Sequence, residues 1–114
     1  MSTLPNNAIE TTVEGATVPF YTFEENGVTY LYFDTSKTGH PEPMVNAMAG
    51  LKALKDGQKL IMINHKAPMG LLPKVEADFD YEIKELPSGL FQITFSKKSD
   101  AKGATDFNDT ACNG

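Results

Sequence analysis

The chain has 114 residues and contains no tryptophan, no arginine and only one cysteine, Cys112. Without arginine there is no guanidinium fork, the group best suited to bidentate recognition of phosphate, carboxylate or guanine edges. All ten basic residues are lysines, set against fifteen acidic ones for a net charge of -5. Lys97-Lys98 is the only adjacent basic pair and reads as a solvated strand end. No nucleic-acid partner is therefore expected. A lone cysteine makes neither an intramolecular disulfide nor a paired-cysteine zinc site, which agrees with a reducing compartment. No apolar run is long enough to span a bilayer. The opening "MSTLPNNAIETTVEG" lacks both the basic and the apolar region of a signal peptide. The expectation is a cytoplasmic protein with no membrane association.

What is present is the composition of an ordinary globular domain, 40% hydrophobic and 22% charged. Residues 1–16, rich in Ser, Thr and Asn, read as a loose lead-in, residues 17–98 as one domain, and residues 99–114 as a flexible polar tail. "TVPFYTFEENGVTYLYFDTS" predicts a hairpin turning at Asn26-Gly27. Pro19 cannot donate to a ladder, so the first of its strands is expected at a sheet edge. "PEPMVNAMAGLKALKDG" predicts a helix, with Pro41 at its first position and Met44, Met48, Leu51 and Leu54 along one stripe. Asp56-Gly57 supplies its stop. Gly50 inside that helix costs about 1 kcal/mol against alanine, which points to close packing there.

"QKLIMIN" predicts a strand buried on both faces, parallel to the strand before the helix. A second, short helix is predicted near residues 69–77, with Pro73 in its first turn. "FDYEIKEL" and "LFQITFS" alternate apolar and polar residues around Pro87-Ser88-Gly89, so helices should cover only one side of the sheet. The fold class is α+β: a two-layer α/β sandwich with a β-α-β-α-β-β core, an added N-terminal hairpin strand, and two helices on one face of a mixed sheet. In the strands near 28–33 and 60–63, Tyr30 and Tyr32 oppose Leu31 and Phe33, and Leu60 and Met62 oppose Ile61 and Ile63. The uncovered face is expected to present tyrosine, leucine and methionine, to be covered by the N-terminal segment, a homodimer or another protein partner.

His40 and His65 follow the ends of strands expected to be parallel neighbours, at the sheet edge where open α/β sheets bind ligands. A helix N-terminus disfavours an imidazolium nearby and favours the neutral ring, with a lone pair for a transition metal, a haem or a hydrogen bond. The candidate ligand-binding residues are His40, His65, Pro41, Pro43 and Lys66. The candidate metal ligands are His40 and His65, with Met44 or Met69 assisting. Against them stands a helix-capping His40, a strand-ending His65 and methionines in the core. No Ser or Asp is placed for a catalytic triad, so binding is favoured over catalysis. Asp78, Asp80, Glu82 and Glu85 alternate with aromatics and read as a solvated strand face.

"LYFDTSKTGHPEPMVNAMAGLKALKDGQKLIMI" with "LFQITFSKK" resembles the TusA/SirA-like family of small sulfur carriers. Asp34, Pro41, Pro43, Leu51, Leu54 and Gly57 line up with that family's Asp-x-x-Gly, Cys-Pro-x-Pro and Leu-x-x-Leu-x-x-Gly motifs, with Gly39 displaced slightly from the first. The resemblance implies the same β-α-β-α-β-β sandwich. Where the carriers have their persulfide-bearing cysteine this chain has His40, and imidazole cannot carry a sulfane sulfur. "PEPMVNAMAGLKALKDG" and "INHKAPMGLLPKVEADFDYEIKELPSGLFQITFSKK" more closely resemble a branch of that superfamily that lacks the cysteine, a domain of unknown function. Three functions follow as expectations, the first a non-enzymatic module binding a ligand, metal or partner, the second sulfur transfer through Cys112 in the tail. A structural homodimer is the third.

Overall fold

The computed structural model describes residues 7–39, 42–67 and 69–98. The elements run β1 (Ile9–Thr11), β2 (Phe20–Glu25), β3 (Val28–Asp34), α1 (Glu42–Ala53), β4 (Lys59–Asn64), α2 (Leu72–Val75), β5 (Phe79–Glu85) and β6 (Phe91–Lys97). The six strands form one mixed sheet in the order β1-β2-β3-β4-β6-β5. Both helices contribute to a single core on one face, so the fold is the α+β two-layer sandwich expected. Among the described residues no helix is long and apolar enough to cross a membrane.

The β2–β3 hairpin turns at Asn26 and Gly27, whose φ angles of 55° and 80° are those of a two-residue primed turn. β3 and β4 run parallel, with Tyr32 opposite Ile61 and Phe33 opposite Met62, as their connection through α1 requires. On α1, Met44, Ala47, Met48 and Leu51 are buried, and Leu54 beyond its end joins them. Gly50 is the close-packed position expected: a Cβ there would sit 3.0 Å from both Leu60 Cδ1 and Phe20 Cε2. The helix ends at Ala53, and Lys55–Gln58 close a separate turn around Gly57, φ 82°. α2 is only four residues long, with Pro73 in its first turn.

Three expectations are corrected. Ile9–Thr11, placed in a loose lead-in, form β1 and pair antiparallel with β2. β2 is therefore not an edge; Pro19 lies just before it, and the edges are β1 and β5. The third concerns the faces. The parallel register sets Leu60 opposite Leu31 and Met62 opposite Phe33, and all four belong to the helix-side core. The open face carries the tyrosines and isoleucines instead: Tyr30, Tyr32, Ile61 and Ile63, with Phe23 and Tyr21. The tail, residues 99–114, and with it Cys112, lies outside the described residues.

Candidate functional site

Two regions qualify as sites: the loop edge at the ends of β3 and β4, and the open face of the sheet. At the loop edge, polar residues tie the strand ends together. The Thr35 N–H donates to the Ile63 carbonyl at 2.8 Å, and its hydroxyl reaches the same carbonyl at 3.2 Å and Asn64 Oδ1 at 3.1 Å. Asn64 Nδ2 in turn donates to the Lys66 carbonyl at 3.0 Å. Thr35 and Asn64 are both buried, so these bonds replace lost water and fix where the two loops start. The loop after β3 is further shaped by the Ser36 N–H on Asp34 Oδ1, 2.8 Å, and by the Thr38 hydroxyl on the Thr35 carbonyl, 3.0 Å.

The predicted site residues distribute unevenly around this edge. His40 and Pro41 lie outside the described residues. His65 and Lys66 follow β4 directly and are exposed. Pro43 is half-buried within the first turn of α1. The two methionines separate: Met44 is 4% exposed and packed in the helix-side core, whereas Met69 is 63% exposed on the loop before α2. Among the described residues no group of three or more His, Cys, Asp or Glu side chains gathers as a metal site would need. The acidic residues of the last hairpin do not converge either. Asp78 is buried ahead of β5, while Asp80 and Glu82 project on the side opposite Glu85 by strand alternation. Lys97 reaches Asp56 at 3.4 Å, so the Lys97-Lys98 pair is partly neutralised.

The open face is built differently. Phe23 and Tyr30 stack with ring centroids 5.1 Å apart, and Tyr21 meets Tyr32 edge-on at 6.5 Å. Tyr32 and Ile61 are only 5% and 9% exposed although no helix among the described residues covers them. Among the described residues they cluster with Phe23 and Ile63, with Ala8, Leu86 and Leu90 packed against the group. Between these groups runs a groove of about 270 Å³ lined by Phe23, Glu25, Tyr30, Tyr32, Ile61, Gln92 and Thr94. Its floor is aromatic and aliphatic. Glu25, Gln92 and Thr94 add a carboxylate, an amide and a hydroxyl around it. The apolar part of this surface is visible in the sequence as residues alternating with the core. Gln92 and Thr94 read there only as the wet face of a strand; their place beside the tyrosines depends on β6 pairing with β4, with Thr94 opposite Ile61.

A buried polar residue that the hydrophobic stripe does not reveal is Asn46, inside α1. Its Oδ1 accepts from the Thr17 and Val18 N–H groups at 2.8 and 3.3 Å, and its Nδ2 donates to Thr17 Oγ1 and the Glu42 carbonyl, both at 2.8 Å. All four of its hydrogen-bonding positions are used, and they pin the chain before β2 to the helix. The signal for it is an asparagine between Met44 and Ala47 on the buried side of a helix.

The fold and these surfaces define a small α/β sandwich with one closed and one open face. Residues 32–97, more than half of the chain, match the model of a family described as uncharacterized conserved protein (DUF2249), and the chain belongs to that family. No curated protein matches the chain. No solved structure matches it.

Proposed function

We propose that the chain is a non-enzymatic binding module that recognises a polypeptide partner on the open face of its sheet. The observation that supports this is the aromatic groove on a face that no helix among the described residues covers. A small ligand is usually held in a cavity that removes most of its surface from water. A groove open along a sheet does not enclose a ligand in that way, but it accepts one large side chain as an anchor, the manner in which protein interfaces concentrate their affinity. The stacked Phe23 and Tyr30 rings suit an aromatic anchor. The Glu25 carboxylate at the groove suits a basic residue beside it.

The test is a titration of isotope-labelled protein with millimolar N-acetyl-tryptophanamide, followed by amide chemical shifts. Saturable shifts centred on Phe23, Tyr30, Ile61 and Thr94 are expected. Shifts centred on His65 to Met69, or none at all, overturn the reading.

A second reading keeps a metal or small ligand at the loop edge, held by His40 and His65 with Met69 at hand. It is supported by the Thr35–Asn64 bonds, which tie the roots of the two loops together. Its test is native mass spectrometry with added zinc: an adduct lost in both His40→Ala and His65→Ala supports it, and an adduct unaffected by either removes it. The resemblance to sulfur carriers supports a shared ancestry of the sandwich rather than shared chemistry, because His40 occupies the carrier position. Sulfur transfer through Cys112 would show as a persulfide mass on that residue.

A further inference from the structure

We infer that β5 is the self-association surface of this protein: two copies pair β5 to β5 antiparallel about a two-fold axis at Ile83. This rests on the edge of the sheet and not on the open-face reading. β5 is the last strand in the order, and no described strand pairs with its outer side. Its pairing with β6 runs without a break from Phe79 opposite Lys97 to Glu85 opposite Phe91. Of the devices that usually blunt an edge it has charged side chains, Asp80, Glu82, Lys84 and Glu85, but no proline, no break in its pairing and seven residues of length. The other edge, β1, is only three residues long.

The hydrogen-bond phase of this edge is fixed. The Lys98 N–H donates to the Asp78 carbonyl and the Leu86 N–H to the Leu90 carbonyl, both at 2.8 Å. Both are register pairs of the β5–β6 ladder, so even-numbered residues of β5 bond inward to β6. Tyr81, Ile83 and Glu85 therefore direct their N–H and C=O groups outward. Those same residues lie on the helix side of the sheet, where Tyr81 and Ile83 are 40% and 38% exposed because the helices do not reach that far. A second copy would cover both.

Charge selects one register. Centring the axis on Ile83 sets Ile83 against its own copy, Tyr81 against Glu85, and Glu82 against Lys84 twice on the open side. Centring on Tyr81 sets Asp80 against Glu82, centring on Glu82 sets that carboxylate against itself, and centring on Lys84 sets two ammonium groups together. Registers centred between residues would join outward-pointing groups to inward-pointing ones. Only the Ile83 register gives opposite charges across the strands with no like pair, and its Glu82–Lys84 pairs fall at the closely spaced, non-hydrogen-bonded positions where cross-strand side chains interact best. The product is a continuous twelve-stranded sheet, twice the six strands of one copy, with the helices of both copies on one face.

The experiment is sedimentation equilibrium of the full chain over a wide concentration range, with charge reversal and rescue. The wild type is expected to dimerise. Lys84→Glu or Glu82→Lys alone should weaken the dimer about tenfold or more, and the double variant Glu82→Lys/Lys84→Glu should restore it. Glu82 and Lys84 are both exposed, and circular dichroism confirms that the variants fold. A wild type that stays monomeric throughout overturns the proposal. So does a dimer that ignores the single reversals, or one that Thr94→Lys breaks instead, which would put the contact on the open face.

Discussion

The two faces of the sheet come from the same strands, residue by residue, and yet they are buried by different means. On the helix side Phe33 is fully buried, stacked on Phe20 at 4.8 Å, and covered by α1 and α2. One residue earlier, Tyr32 points the other way and is almost as well buried, although no helix among the described residues lies over it. The helix side is closed by a second layer of secondary structure. On the open side the described residues set rings against rings and leave a groove between them. A face sealed by packed helices has finished its work in folding. A face whose aromatic rings line a groove still has apolar surface to offer a partner.

That contrast has measurable consequences. Phe33→Ala should cause the largest loss, about 3–5 kcal/mol in urea unfolding, because a fully enclosed ring leaves a cavity that the helix layer cannot fill. Asn46→Leu should follow at about 1–3 kcal/mol, since it strands the Thr17 and Val18 N–H groups, and limited proteolysis should then cut before β2. Tyr30→Ala on the open face should lose only about 1–2 kcal/mol, the stacking on Phe23 together with partly buried ring area. If Tyr30→Ala proves as damaging as Phe33→Ala, the two faces are equally structural and the contrast fails. Smallest should be Thr94→Lys, within about 0.5 kcal/mol of the wild type, as expected for a half-exposed strand position away from the core.

Much of the architecture is legible in the sequence because it rests on local signals. Asn26-Gly27 marks the hairpin, the stripe through Met44, Met48 and Leu51 marks the helix, and "KLIMIN" marks a strand apolar on both sides. What stays hidden depends on register and on long-range pairing. Nothing local says that Leu60 shares a face with Leu31 rather than with Tyr32; that follows from the parallel alignment of β3 and β4. β1 has only three residues, too few for a period, and exists because β2 offers an edge. The candidate site was legible in part. Tyr30, Tyr32 and Ile61 are visible as a surplus apolar face, whereas Gln92 and Thr94 reach it only through the β4–β6 pairing. Thr35 and Asn64 pass for strand-end polar residues until their mutual hydrogen bond is seen.

The most direct check of the open face as the recognition surface is to repeat the N-acetyl-tryptophanamide titration on Thr94→Lys and His65→Ala. Thr94→Lys sets a long charged side chain into the groove without touching the core, and His65→Ala alters only the loop edge. Loss of saturable shifts in Thr94→Lys, with wild-type shifts in His65→Ala, is the expected result. The reverse pattern, shifts retained in Thr94→Lys and lost in His65→Ala, would contradict it and move the site to the ends of β3 and β4.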